Sequence, residues 1–568
     1  LSTGAIGTVN NIIIDNGSSF TVSGNTIQIS GTITNNGTFN ADAGTVEMNG
    51  PAAQVIGTDV FAGNTIKDLI INNAAGVTLQ GPLNITGIIT IQTGDLSADG
   101  YLTLISDAVQ TALIDGSGTG EVSGNVTMQR YLSSGFGYKY FSSPFQDATV
   151  NEFGDEVNLA SSFPFLYRYD ESRTSSGWVG YTTAADPLNT LQGYAVNFGA
   201  TGVPVTVDVA GSVNNGPLSV ALYNNNNTYT KGFNLVGNPY PSAIDWDAAG
   251  WTKTKIDNAI YYFRASTTDE YGGTYSSYIN GISTAPGEAT NIIPSMQGFF
   301  VHVSNETFPV MGTLGLDNNV RVTDQTHPFL KSKEIDQRFL IRLSVSFTDD
   351  PLSSDPMVIY FDYNTDTGFE SDHDALKILN TDLTVPNLYS LLSADMKLSI
   401  NALPVMSDTS LLVPLGLKTN KTGELRFRIS DIENMPTGMS VYLRDAVTSK
   451  NQDLLPDKDY NINLPAGEYH NRFYLGFLKS TTDITEIDSS TDILTVYASE
   501  NIVKAFVRHL EGREGTILIF DLGGRLVFSR TVYETGYYEL SPHVITGIYI
   551  VNYTTGNRRS TKRILISN

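Results

Sequence analysis

Gly17, Gly24, Gly31, Gly37, Gly44, Gly50, Gly57 and Gly63 follow one another at intervals of six or seven residues. A helix does not tolerate that spacing, because each interior glycine costs about 1 kcal/mol against alanine. Between the glycines lie short β-prone runs: Ile12-Ile13-Ile14, Phe20-Thr21-Val22, Ile27-Gln28-Ile29 and Thr45-Val46-Glu47-Met48. Leu69-Ile70-Ile71, Val77-Thr78-Leu79 and Leu102-Thr103-Leu104 continue the series. Three runs with their turns make about twenty residues, as from Gly17 to Gly37 and from Gly37 to Gly57, which is one rung of a three-sided parallel β-helix. Asn16-Gly17 and Asn36-Gly37 are then expected to stack at one corner. An antiparallel sandwich with many hairpins is the competing fold for this first region, residues 1–120.

Residues 121–325 carry an internal repeat. The segment from Gly137 to Phe145 (Gly-Tyr-Lys-Tyr-Phe-Ser-Ser-Pro-Phe) matches that from Gly232 to Tyr240 (Gly-Phe-Asn-Leu-Val-Gly-Asn-Pro-Tyr). Leu191-Gln192-Gly193-Tyr194 matches Met296-Gln297-Gly298-Phe299, and Phe165 to Tyr169 answers Ala259 to Phe263. Two related β-units packed on each other are the expectation. The polar stretch Asp324 to Gln337 reads as a linker. Residues 326–480 then hold a β-sandwich with strands at Phe339–Phe347, Met357–Phe361, Glu424–Ile429, Ser440–Leu443 and Arg472–Phe477, and one helical turn around Asp374 to Lys377. Ser480 to Asp492, rich in Ser, Thr and Asp, reads as the linker into a last module, residues 481–568. The fold class is therefore all-β: a β-helix-like solenoid, serial β-sandwich domains and an Ig-like terminal sandwich.

Composition narrows the function classes. Cysteine is absent, which excludes disulfides, thiolate-zinc sites and cysteine nucleophiles. A net charge of −24, with no Lys or Arg before Lys67, disfavours nucleic acid. Sparse charge with abundant Gly, Asn, Thr and Tyr is the profile of exported β-rich proteins. No stretch reaches the eighteen or so apolar residues of a membrane helix. The chain begins with Leu1, and removal of a signal peptide is the expectation.

The C-terminal module has its own pattern. Ile517-Leu518-Ile519-Phe520 reads as a strand buried on both sides or nearly so, Asp521-Leu522-Gly523-Gly524 as a turn, and Arg525-Leu526-Val527-Phe528 as the returning strand. Pro542 and Gly547 bracket another turn before the apolar strand Ile548 to Val551, and Thr561 to Ile566 is the last strand. From Asn501 onward nine Lys/Arg stand against five Asp/Glu, so a basic tail follows an acidic remainder. Asp521, Gly523, Gly524, Arg525, Gly547, Tyr549, Lys562 and Arg563 carry a resemblance. They are laid out as in the C-terminal sorting domain (type A) of proteins exported by the type IX secretion system of Bacteroidota. The resemblance covers roughly the last seventh of the chain. It implies recognition by that secretion machinery and an extracellular or cell-surface destination. The segment from Gly237 to Trp246 (Gly-Asn-Pro-Tyr-Pro-Ser-Ala-Ile-Asp-Trp) similarly resembles segments of large surface proteins of the same bacteria, with no activity attached.

Catalytic signatures are missing from the sequence: no Gly-x-Ser-x-Gly elbow, phosphate-binding Gly-Lys-Ser/Thr loop, Gly-x-Gly-x-x-Gly or His-Glu-x-x-His occurs. His302, His327, His373, His470, His509 and His543 are scattered, with no pair at metal-ligand spacing. With 58 Asp and Glu, no catalytic carboxylate pair can be singled out. The candidate Ca²⁺ site is Asp362, Asn364 and Asp366, followed by Glu370, Asp372 and Asp374, because Ca²⁺ takes oxygen ligands at alternate positions. An EF-type loop, however, has Gly sixth and Glu twelfth, where this one has Gly368 seventh and His373 twelfth. Its alternative is a solvated acidic loop with Asp372 or Asp374 capping a short helix. The candidate glycan-binding surface is Trp251, Tyr261, Tyr262, Tyr271, Tyr275 and Tyr278, since rings stack on sugar faces while polar neighbours take hydroxyls. Its alternative is that these rings fill sheet cores.

Taken together, the expectation is a non-catalytic extracellular or cell-surface structural or adhesive protein. The open ends of a β-helix, with their unpaired backbone, extend this to self-association into a filament or layer. A glycan-binding surface protein is the second expectation and a polysaccharide hydrolase the third.

Overall fold

The structure is a computed structural model that describes residues 4–325, 336–393, 395–406, 410–455, 458–479, 493–499, 502–507, 514–556 and 558–566. The inter-domain linker read at Ser480 to Asp492, most of that at Asp324 to Gln337, and His327 and His509 lie outside these residues. The protein is all-β, 55% strand and 2% helical. Its helical residues include the short 3-10 turns Ala62–Asn64, Val150–Phe153 and Asn318–Val320. Two compact units divide the chain: Leu1–Met435 with Val441–Phe477, and Pro436–Ser440 with Leu478–Asn568.

The glycine-punctuated start forms the parallel solenoid. Ile6 lies opposite Thr26, Ile27 opposite Val46, Val46 opposite Leu69 and Leu102 opposite Leu83, all in parallel pairs about one rung apart. The strands Ile12–Ile14 and Ile33–Asn35 pair on a second face, which Gln54–Ile56 and Val77–Leu79 continue as a separate pairing. Alternate residues point inward, and Ile29, Phe39, Val46, Met48, Leu69, Ile71 and Leu104 are fully buried. Outward, a polar ladder crosses the rungs: Thr8 Oγ1 donates to Gln28 Oε1 (2.9 Å), Gln28 Nε2 to Glu47 Oε2 (2.9 Å) and Asn72 Nδ2 to Glu47 Oε1 (3.2 Å). At Gly37 contact between rungs requires glycine. A Cβ on Gly37 would sit 2.3 Å from the Ser18 carbonyl oxygen and 2.5 Å from that of Asp15, the residues flanking Asn16-Gly17.

One end of the solenoid is closed. The last rung strand, Asn125–Leu132, pairs antiparallel with Val205–Ser212. The far edge of that strand is blunted by carboxylates: Asp147 Oδ1 accepts the Ser212 N–H (2.7 Å) and Glu152 Oε2 accepts the Ala210 N–H (2.9 Å). At this end the solenoid thus presents a blunted edge rather than a free ladder.

Residues 138–303 hold two sheets of the same strand order. In the first, Tyr138–Phe141, Tyr194–Asn197, Leu166–Tyr169 and Trp178–Gly180 lie side by side. The second has Phe233–Gly237, Gly298–Val303, Ile256–Ala265 and Gly273–Ile279. The halves exchange equivalent hydrogen bonds: Ser142 N donates to Met296 O (3.1 Å) and Gly237 N to Leu191 O (3.2 Å). Leu191 and Met296, equivalent in the repeat, share left-handed φ values of 63° and 60°.

Residues 336–477 build one eleven-stranded sheet. Leu340, Val358, Tyr360, Ile400 and Ala402 of this sheet pack with Tyr140, Leu235, Tyr261 and Phe300 of the twin sheets in one apolar cluster. The helical turn expected at Asp374 to Lys377 is instead a short strand, Ala375–Leu376, paired with Lys397–Pro404. Its backbone is drawn into the sheet, with Lys377 N donating to Lys397 O, while the turn lies just upstream at Glu370 to Asp374.

The C-terminal unit is a sandwich of a three-stranded and a four-stranded antiparallel sheet. Val496, Val503, Ala505 and Val507 meet Ile517, Ile519, Val551, Tyr553 and Ile564 in its core. Ile517 and Ile519 are fully buried, whereas Leu518 and Phe520 are only partly so. The expected two-sided burial is thus corrected to one-sided, because this strand has one face on the core and one outward.

Candidate functional site

The site is a cleft of about 350 Å³ lined by Tyr138, Tyr140, Tyr167, Trp178, Ala195, Phe263, Tyr271, Tyr275 and Thr381. Strand periodicity creates it. Tyr138 and Tyr140 alternate with Lys139, so both rings leave the same face of their strand. Ala195 sits opposite both Tyr140 and Tyr167, a methyl group between two rings, and that gap opens the cleft. Trp178 is paired with Tyr169 on the neighbouring strand, their rings 5.0 Å apart. From the second sheet, the cross-strand pair Phe263 and Tyr275 closes one side, rings 5.2 Å apart.

Aromatic contacts fix the walls. Tyr140 stacks on Phe263 (4.7 Å, 16°) and its hydroxyl lies 2.8 Å from that of Tyr275. Tyr138 stands 6.1 Å from Tyr167 and 6.4 Å from Tyr271. At the mouth, Tyr271 is 56% exposed and meets Phe163, 53% exposed, edge-on at 5.9 Å. A polar chain runs along one wall. Asn197 Nδ2 donates to Glu270 Oε1 (3.3 Å). The Tyr138 phenol lies within interaction range of Asn197 and of the Tyr167 phenol. Burial raises the Tyr138 and Tyr140 phenols well above the ordinary tyrosine range and pushes Tyr275 up to about 12. These phenols therefore stay neutral donors across physiological pH, and none of the lining residues is charged there.

Of the six aromatic residues singled out from the sequence, Tyr271 and Tyr275 line the cleft. The other four pack or bond elsewhere. Trp251 packs on Trp246 at 4.6 Å and donates its indole N–H to Asp245 O (2.8 Å). Tyr261 is 1% exposed, Tyr262 donates to Thr290 O (2.8 Å), and Tyr278 donates to Asp247. Sequence proximity grouped residues that strand alternation sends to different faces. The residues missed (Tyr138, Tyr140, Tyr167, Trp178 and Phe263) were mostly legible as alternating aromatics in the two repeat segments.

The acidic loop does not bring its six members together. Asp362 Oδ1 accepts Asn364 N (2.9 Å), Asp366 Oδ1 accepts Gly368 N (2.5 Å) and Glu370 Oε2 accepts Asp366 N (3.3 Å), so these carboxylates close local turns. Asp372 is exposed and its backbone carbonyl accepts from Asn280. Asp374 is buried, its two oxygens accepting Ala402 N and Glu370 N at 2.7 Å each. Among the described residues the carboxylates that do converge are Asp155, Glu156 and Asp208, with one oxygen each within 4.8 Å of the others. Burial first, then Asp155, pushes Glu156 up to about 8. His302 is enclosed, with Nδ1 2.6 Å from Asp257 Oδ2 and Nε2 3.0 Å from Lys231 O. Both partners are acceptors, which suits a structural pair rather than a proton shuttle.

The sorting-type residues form one corner of the terminal sandwich. Arg525 N donates to Asp521 Oδ1 (2.9 Å) across the turn, and Gly524 there has φ of 81°. Asp521 lies opposite Tyr549 on the strand begun by Gly547, and Lys562 and Arg563 lie opposite Val551 and Ile550 on the last strand.

A family profile described as "Domain of unknown function (DUF8693)" matches residues 42–477. The minor fimbrium subunit Mfa5 of Porphyromonas gingivalis is 21% identical over 453 residues, covering 76% of this chain and 35% of that protein. The chain thus spans about a third of the length of this relative. Among solved structures, an FMN-binding β-glucuronidase of Faecalibacterium prausnitzii L2-6 aligns at 8% identity, covering 40% of this chain and 39% of its own, with a TM-score of 0.12. The BSP domain of a biofilm-associated protein aligns at 9% identity over 78% and 92%, also at 0.12. Neither structural likeness bears on function at that score.

Proposed function

The chain belongs to the family described as "Domain of unknown function (DUF8693)", and we propose that this member is a non-catalytic, structural or adhesive protein of the bacterial surface. The observation that carries the proposal is the alignment of three quarters of the chain with a minor fimbrium subunit. The architecture suits it: a solenoid and serial sheets make a scaffold without cysteine, and one apolar cluster runs through the solenoid and the first of the twin sheets. We further propose export by the type IX secretion system through the C-terminal sandwich, on the strength of the Asp521 to Arg525 turn, Gly547, Tyr549 and the basic last strand. Self-association remains part of the proposal, through surfaces other than the blunted edge at Val205–Ser212.

The test is microscopy of native extracellular material, with a strain producing the chain truncated after Phe477 as comparison. Surface-located assemblies containing the full chain, and their loss on truncation with the protein retained inside the cell, are expected. A purified chain that hydrolyses a polysaccharide or peptide library at enzyme-like rates would overturn the non-catalytic assignment. Undiminished surface display of the truncated chain would overturn the export assignment.

A further inference from the structure

We propose that the aromatic cleft of the twin sheets binds a neutral hexopyranose unit. It deepens the adhesive half of the proposed function by naming a ligand class, and it rests on that half only for its biological setting.

The lining selects the chemistry. It offers the rings of Tyr138, Tyr167, Trp178 and Tyr271, the kind of group that packs on the C–H faces of a pyranose. Among the described residues no cation or anion lines the cleft, so none of them there compensates a charged ligand, and the nearby Glu270 carboxylate, hydrogen-bonded to Asn197, opposes an anionic one. The polar content excludes a purely apolar guest. The Tyr167 hydroxyl, beside the Tyr138 phenol, puts a polar group on the cleft wall. An aromatic or aliphatic side chain would strip water from that hydroxyl without replacing it, whereas sugar hydroxyls replace it. Size agrees: 350 Å³ is near the lower bound of ligand pockets, roughly 300–1,000 Å³, which suits one or two rings rather than a folded partner.

The mouth is also preorganised. Tyr271 is fixed between Tyr138 and Phe163 by ring contacts, and Tyr271 N donates to Asp269 Oδ1 (3.0 Å). Gly273 N donates to Thr381 Oγ1 (3.0 Å) and Tyr275 N to Asn380 Oδ1 (3.0 Å), which tie the hairpin carrying these rings to the loop between the strands Ala375–Leu376 and Asn387–Leu391. A ligand then meets rings that need little further ordering.

The experiment is ligand-observed saturation-transfer NMR and calorimetric titration of the purified full chain. The probes are methyl β-D-glucopyranoside, methyl β-D-galactopyranoside, methyl α-D-mannopyranoside and glucuronic acid. Saturable binding of at least one neutral glycoside in about the millimolar range is expected, the weak end for so small a ligand. Tyr271→Ala and Tyr167→Ala should each weaken it about tenfold. Tyr167→Phe, which keeps the ring and removes the donor, should weaken it less than Tyr167→Ala. Trp251→Phe and Tyr278→Phe, outside the cleft, should leave it unchanged, and glucuronic acid should bind more weakly than the neutral sugars. Tyr271 is largely exposed, so its alanine variant keeps the fold, as circular dichroism will verify. No saturable signal for any neutral glycoside overturns the proposal. So does binding that survives both alanine variants, or capture of a tyrosine-rich peptide in their place. Any of these leaves the surface assignment standing, because microscopy tests that separately.

Discussion

Asp374 offers the sharpest test of the energetics, because it is 1% exposed and its carboxyl is pushed up to about 7 by burial. Two backbone donors, Ala402 N and Glu370 N, favour the charged form, but desolvation outweighs them, and the nearby Glu370 and Asp366 carboxylates add to the upward push. The Tyr261 and Tyr360 hydroxyls also face it. In the unfolded chain the same group titrates near 3.8. Between these values the folded state holds a proton that the unfolded state has lost, so stability falls as pH rises. The contribution is fully present below about pH 4 and gone above about pH 7. Roughly three pH units at about 1.4 kcal/mol each give ~4 kcal/mol across that window.

Asp374→Asn removes the titration but keeps only one acceptor, placing an NH₂ against a backbone N–H at a cost of about 1–3 kcal/mol. At pH 5 the variant should therefore be the less stable protein. By pH 8 the gap should close or reverse. Calorimetric scans of both proteins at pH 5, 6.5 and 8 read this difference directly, and other titrating groups, including Glu156, cancel in the comparison. A gap that stays constant from pH 5 to pH 8 would show that Asp374 is ionised throughout, and would refute the dominance of desolvation.

Three further outcomes follow from particular contacts. Lys377 and Asp355 form a buried ion pair (2.6 Å, side chains 2% and 1% exposed), so Lys377→Met should cost about 3–5 kcal/mol, whereas Lys377→Met with Asp355→Leu should recover much of it. Denaturant titration of the four proteins of this cycle is the measurement. Gly37→Ala places a Cβ 2.3 Å from a backbone oxygen and should cost about 1–3 kcal/mol, while Gly57→Ala, with its nearest atom at 3.6 Å, should be near neutral; thermal unfolding compares them. Asp147→Ala with Glu152→Ala uncovers the Ser212 and Ala210 N–H groups, and light scattering should then detect more self-association than the parent shows at the same concentration.

The solenoid was legible because its cause is local. Ile27 and Ile29 alternate with Gln28, and Gly37 marks a corner, so the rung length can be read from the order of residues alone. The duplicated segments were legible for the same reason, and their equivalent strand orders follow. The Ile517 to Phe520 strand and the Asp374 turn were misread because burial of a face and capture of a backbone N–H depend on partners distant in sequence. Ala402 lies 28 residues from Asp374, and no local pattern announces that contact.

The candidate site divides along the same line. Local order determined that the chain is all-β, repetitive, free of thiol chemistry and closed by a basic terminal sandwich. It also determined that aromatic residues are plentiful, but not which of them meet. Tertiary structure alone decided that Tyr138, Tyr167 and Trp178 from one sheet share a cleft with Tyr275 from another and with Tyr271 from the turn before it, and that Trp251 and Tyr278 do not. Alternation assigns each ring to a face, but which faces come together is set by packing between sheets. That packing is a sum of weak, non-directional contacts over residues far apart in the chain.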